Sequence, residues 1–196
     1  DTEMSDQSGN TEESGTEMGV DAEPGDRVVL ADTNGDTEVF IFLKEGELFA
    51  EDVSFRVLCI ADMIGETEEK EMHCKKLEDA LLAAWDQALP EKTVENVQIF
   101  LPYYLLFTDA QGAEISLPGE AEIRLTICDE DIYQAFCQVQ DSAEVPVESD
   151  WMEALHIAWQ GKNDEFREIP GKRMILDDEK RSVTFVFETE ETGWFS

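Results

Sequence analysis

Apolar residues in this chain recur at every second position, in short runs separated by turn residues roughly every ten positions, the spacing of an all-β sandwich. Ser182 to Glu188 is the clearest run, with Val183, Phe185 and Phe187 alternating against Thr184, Val186 and Glu188. Glu122 to Cys128 repeats it: Ile123, Leu125 and Ile127 are set to face inward, and Glu122, Arg124 and Thr126 outward. Side chains leave a strand on alternating sides, so each run is built to bury one face and wet the other. Val28 to Ala31 and Glu38 to Leu43 flank Asp32-Thr33-Asn34-Gly35-Asp36. An Asn-Gly step between two apolar runs predicts a hairpin. Val53 to Ala61 places Val53, Phe55, Val57 and Cys59 on one face, with Leu58 and Ile60 on the other. Further strands are predicted at Val97 to Leu101, Tyr103 to Thr108, Tyr133 to Gln140, Glu153 to Trp159, Phe166 to Ile169 and Arg173 to Leu176.

One stretch follows a different period. From Glu66 to Leu89, Leu77, Ala80, Leu81, Ala84, Trp85 and Ala88 recur at three- and four-residue spacing. Glu66, Glu68, Glu69 and Glu71 crowd its start, where the helix dipole favours them, and Pro90 ends it. The prediction is one amphipathic helix, at about 66–89, laid on a mainly β fold.

Charge decides which functions such a fold can serve. The chain carries 47 Asp and Glu against 14 Lys and Arg, a formal net charge of −33. Nucleic-acid binding needs Lys and Arg to displace counterions from phosphate, and here they are too sparse to form a basic stripe. The same field disfavours anionic membranes and polyphosphate substrates. No apolar run reaches the ~18 residues of a membrane helix, so insertion into a membrane by this chain is not expected. Residues 1–25 hold eight of the carboxylates, no basic residue and many Ser, Thr and Gly, so residues 1–26 read as a disordered acidic tether. Residues 27–196 read as the folded domain, and a division into two β subdomains near 95–130 stays open. A start at Asp1 followed by a polar tether suits a mature secreted form whose leader is not included.

Candidate chemistry is sparse. Asp32-Thr33-Asn34-Gly35-Asp36 begins like a calcium loop, but its Gly comes two places early and its twelfth position is Leu43 where a bidentate Glu is required. A hairpin turn is the expectation there. A weak surface calcium site built with other acidic loops, such as Asp177, Asp178 and Glu179, is the alternative. His73 and His156 are the two imidazoles available to a nucleophile, and no G-x-S-x-G accompanies them. His156 lies in a strand-like run beside Trp159 and is expected to serve packing or an edge hydrogen bond, while a Cys137–His156 pair would require the fold to bring the two together. Paired carboxylates are too abundant to mark a glycosidase. The four cysteines, Cys59, Cys74, Cys128 and Cys137, allow three pairings and contain no C-x-x-C, so zinc is not expected. Buried thiols and at least one disulfide both stay open. Tyr103, Tyr104, Trp151, Trp159 and Trp194 either fill the core and the sandwich ends or form a sugar-stacking platform. Trp151, beside Glu148-Ser149-Asp150, is the candidate ligand-contact aromatic. No catalytic residue, metal ligand or cofactor is predicted.

The order of these pieces resembles a ZU5-type domain, with an immunoglobulin-like sandwich as the fold it implies. TEVFIFLKEGELFAEDVSFRVLCI (37–60), with Gly46, Leu48 and Phe49, is similar to the opening of that family. VQIFLPYYLLFTDAQGAEISLPGEAEIRLTI (97–127), with its Pro118-Gly119 corner, resembles the middle. WMEALHIAWQGKNDEFREIP (151–170) and SVTFVFETEETGWFS (182–196) resemble the closing strands. Relatives of this arrangement occur in Gram-positive cell-surface proteins often called adhesins. The resemblance implies a non-enzymatic extracellular or surface module for adhesion, spacing or protein interaction, with a protein or host-surface ligand as partner. A carbohydrate-binding module of the same architecture is the alternative.

Overall fold

The computed structural model describes residues 30–44, 47, 49, 52–64, 68–88, 99–142, 155–161 and 165–196. The predicted tether, 1–26, and Trp151 lie outside the described residues. Among the described residues ten strands and three helices follow in order: β1 (Leu30–Asn34), β2 (Thr37–Leu43), β3 (Ser54–Cys59), α1 (Ile60–Ile64), α2 (Lys70–Ala88), β4 (Tyr103–Thr108), β5 (Ala121–Ile127), α3 (Glu130–Ser142), β6 (Ala158–Gln160), β7 (Phe166–Glu168), β8 (Arg173–Asp177), β9 (Ser182–Thr189) and β10 (Gly193–Phe195).

The strands form two antiparallel five-stranded sheets, β1-β2-β5-β9-β8 and β3-β4-β10-β6-β7. Both sheets draw strands from both halves of the sequence, so a division near 95–130 would cut through each of them. Alternation sets the packing. β5 buries Ala121, Ile123, Leu125 and Ile127 while its intervening residues stay half-exposed, as its period-2 pattern requires. Ile123 pairs with Ile41 of β2 on one side and Phe187 of β9 on the other. Across the sandwich, Phe55, Val57, Leu105, Phe107 and Phe195 supply the facing layer of the same core. Phe107 is its largest fully buried side chain; Phe49 stacks on it and Phe55 packs against it with its ring tilted. The fold is therefore a mainly β sandwich carrying one long helix, as the alternation predicts.

The β1–β2 hairpin forms where predicted, with Asn34 paired to Thr37 and Gly35-Asp36 as its loop. Gly35 adopts φ +59, the first loop position at which a type II′ turn calls for glycine.

Four expectations are corrected. Tyr133 to Gln140 is helix, not strand. Asp129 caps α3 by accepting the Ile132 amide at 2.8 Å, Glu130 and Asp131 occupy the first turn, and Ile132, Tyr133, Phe136 and Cys137 turn one helical face to the core. The alternation of Tyr133, Ala135, Cys137 and Val139 masks that helical period. Ile60 and Ala61 open α1 instead of ending β3. Helix α2 begins at Lys70, and its buried stripe is narrower than predicted: Leu81 and Trp85 are buried but Ala80 is exposed. Of the two strands expected at Val97–Leu101 and Glu153–Trp159, residues 99–101 carry no strand, the second is confined to β6, and the remaining residues 97–98 and 153–154 lie outside the described set. The terminal strand β10, at Gly193–Phe195, is an addition that the alternation of three residues is too short to reveal.

Candidate functional site

Two polar clusters hold the residues that the sequence marks as candidates. The first lies where β1 meets β3. Asp32 and Asn34, two apart, share a face of β1 and reach across the open side of the sandwich. Asp32 Oδ2 accepts the Val57 amide at 2.8 Å, and Asn34 Nδ2 donates to the Val57 carbonyl at 3.0 Å. Both backbone groups of one edge residue, Val57, are thus satisfied by side chains of the other sheet. Asn34 Nδ2 also donates to Asp62 Oδ2 at 2.6 Å, and the Cys59 amide donates to the same oxygen at 2.9 Å. Hydrogen bonds from Cys59 and from Asn34 hold the Asp62 carboxyl below the usual carboxylate range. Of the calcium-like side chains at the first and third loop positions, Asp32 gives one carboxylate oxygen to this clasp and Asn34 its amide nitrogen. Asp177 uses Oδ1 on the amides of Glu179 and Lys180, closing the turn after β8. Among the described residues no group of three or more His, Cys, Asp or Glu is arranged to hold a metal ion.

The second cluster sits under α2, on the face of the second sheet that points away from the core. Glu168 pairs in register with Ala158, and His156 lies two residues before Ala158, which puts both on one face. His156 Nδ1 and Glu168 Oε1 are 2.8 Å apart. Pro170 and Gly171, the latter at φ +67, reverse the chain after β7 and bring Lys172 back, so that its Nζ donates to the same Oε1 at 2.6 Å. Burial pushes the Glu168 pKa up, but the bonds from Lys172 and His156 outweigh it and hold the carboxyl below its ordinary value. Trp85 of α2 stands edge-on to His156 at 5.6 Å and to Phe166 at 6.4 Å, closing the cluster from above. Chemically this is an anion clamped between a cation and an imidazole. It fixes β7 to β6 and seats the helix.

His156 therefore serves an internal hydrogen bond, as its strand-like setting predicts. Cys137 is hydrogen-bonded to Tyr133 on α3 and packs against the core, so the fold does not pair it with His156. His73 lies on α2 beside Glu69, 3.7 Å away. All four cysteines are free thiols. Sequence reasoning missed Glu168 and Lys172; Pro170-Gly171 was the signal that the chain folds back between them.

The aromatics are used in packing. Tyr104 is buried, donates its hydroxyl to Glu114 at 2.7 Å, and meets Trp194 edge-on at 5.3 Å. Trp159 is buried with its indole N–H on the Thr192 carbonyl at 2.9 Å. Tyr103 packs against the core, its hydroxyl 3.0 Å from that of Thr37. Tyr133 lies in the core with its hydroxyl bonded to Asp178 and the Arg181 guanidinium 4.4 Å above its ring. No helix among the described residues is long and apolar enough to cross a membrane. In comparisons with known proteins, the chain matches no family model, no curated protein and no solved structure.

Proposed function

We propose that this chain is a non-catalytic β-sandwich module, displayed outside a Gram-positive cell, that acts in adhesion, spacing or protein interaction. The observation that carries the reading is how the candidate polar groups are used. Asp32 and Asn34 lace one sheet to the other through Val57, and His156 and Lys172 are both bonded to Glu168 beneath Trp85. A catalytic constellation needs a base aimed at a nucleophile or a substrate; here the imidazole and the carboxylate are aimed at each other. The net charge of −33 adds support, since a strongly acidic coat keeps a displayed domain soluble and repels nucleic acid and phosphate. Likeness to ZU5-type domains supplies the surface setting. Four free thiols give no support to an oxidising compartment, so the setting rests on the charge and the resemblance alone. The carbohydrate-binding alternative depends on Trp151, because Tyr103, Tyr104, Trp159 and Trp194 are engaged in packing or in contact with one another.

The test compares binding with turnover. Immobilised extracellular-matrix proteins and a glycan array are probed with the chain, and panels of ester and glycoside substrates are assayed in parallel. Protein capture that survives His156→Ala, with no turnover above buffer, is the expected result. Hydrolysis abolished by His156→Ala or Glu168→Gln in a folded variant would overturn the reading. Glycan binding abolished by Trp151→Ala would replace it with the carbohydrate module.

A further inference from the structure

The four sheet edges are managed unequally. Strand β1 and strand β3 are laced to each other by Asp32 and Asn34, and β7 lies against α2. Strand β8 pairs only with β9 among the described residues. An edge strand presents unpaired backbone groups and is a template for another strand unless it is blocked. Centred on this open edge is Ile175, which at 50% exposure is the most exposed large hydrophobic side chain among the described residues.

The sequence around Ile175 is a charge palindrome. Lys172-Arg173-Met174-Ile175-Leu176-Asp177-Asp178 reads basic, basic, apolar, apolar, apolar, acidic, acidic. We infer that β8 pairs antiparallel with β8 of a second copy about a two-fold axis at Ile175, joining two five-stranded sheets into one of ten. In that register Ile175 meets Ile175 of the second copy, Met174 meets Leu176, and Arg173 meets Asp177 twice. A two-fold interface must be self-complementary, and a palindrome with opposite charges at its ends is the linear form of that requirement. Directly opposed residues of an antiparallel pair share a face, so both Arg173–Asp177 pairs and the Ile175 contact fall on the outer face, while Met174 and Leu176 extend the core face. Centring the pair on Met174 or Leu176 would instead set Ile175 against Arg173 or Asp177.

The monomer leaves these groups placed for it. The Arg173 side chain is 58% exposed and only 3.6 Å from Glu122, a loose contact. Asp177 is oriented by the turn amides it accepts. Lys172 and Asp178 are already held by Glu168 and Tyr133, so the inner pair is the one to test. Two chains of net −33 repel, but that repulsion is screened beyond a Debye length of about 8 Å at physiological salt, whereas the Arg173–Asp177 pairs act in contact.

Sedimentation equilibrium of the chain at physiological salt, over a concentration series up to about 1 mM, reads the association directly. A monomer–dimer equilibrium is expected. Ile175→Lys, which opposes two ammonium groups at the axis, should abolish it, with an unchanged circular dichroism spectrum. Arg173→Asp and Asp177→Arg should each weaken self-association by about tenfold or more. An equimolar mixture of those two variants should recover it, because the opposed charges are then complementary. A monomer throughout, a dimer indifferent to Ile175→Lys, or a mixture no tighter than its components would each overturn the proposal. Should Ile175→Lys fail to fold, the charge variants and their mixture still decide. None of these outcomes bears on whether the module binds another ligand.

Discussion

Asn34 shows how much a single side chain can be asked to do. Its amide donates to the Val57 carbonyl and to Asp62, so one residue joins the two sheets and anchors the start of α1. Removing one partner of a part-buried hydrogen bond costs about 1–2 kcal/mol, chiefly because the other is left unsatisfied. Asn34→Ala should therefore lower the unfolding free energy by that amount, read as a fall in the urea midpoint at unchanged slope. Asn34→Asp keeps the shape but replaces the donor with an anion between Asp32 and Asp62, and should lower the midpoint further. Equal midpoints for the two variants would remove electrostatics from the account. The sequence could not supply this role. Asp32 and Asn34 read as loop oxygens because the residue they bond, Val57, is over twenty positions away and becomes their neighbour only when the sheets close.

At the scale of elements, period decided what was legible. β2, β4, β5 and β9 are long enough for alternation to be unambiguous, and each lies within about a residue of its predicted bounds. α3 was not, because its apolar residues fit both a two-residue and a helical spacing over a short span. The competing signal was the cap: Asp129 followed by Glu130 and Asp131 is a helix start. Asp129→Ala should accordingly cost about 1 kcal/mol, and Asp129→Ser, which retains a capping oxygen, should cost far less. Chemical denaturation of both variants checks this; identical losses would mean that the cap is not what holds α3. The first turn is also tied to the β8–β9 turn, since Arg181 makes two bonds to Glu130, at 2.8 and 2.5 Å. Arg181 adopts φ +53, a left-handed conformation unusual for a non-glycine residue. The Arg181 bonds, with a smaller contribution from Gln134, hold the Glu130 carboxyl down at about 2. Their contribution is present above the ordinary carboxylate value and is lost as pH falls through about 2. Both side chains are exposed, so salt should weaken the pair.

Taken as a whole, the molecule ties all three of its tyrosines into the fold. Burial raises the Tyr103 phenol. Burial and the bond to Glu114 raise Tyr104, and the bond to Asp178 raises Tyr133. A folded-state pKa above the unfolded value favours the neutral phenol, so this contribution is complete below about pH 10 and is lost as pH rises through the folded values. Absorbance titration should therefore show no phenolate at the ordinary tyrosine pKa, then a single cooperative rise coincident with loss of circular dichroism. A tyrosine that ionises near its free value before unfolding would refute the placement of its hydroxyl. The sequence by itself determined the mainly β class, the long helix and the inward residues of the long strands, because alternation and helical period are local and are written in neighbouring residues. It also fixed the acidic surface, which composition alone sets. Only the tertiary structure decided that Asp32 and Asn34 bond to β3, that Glu168 is shared by His156 and Lys172, and that β8 is the unguarded edge among the described residues. Those outcomes depend on which distant segments become neighbours, and that choice is made by burial of the whole core at once.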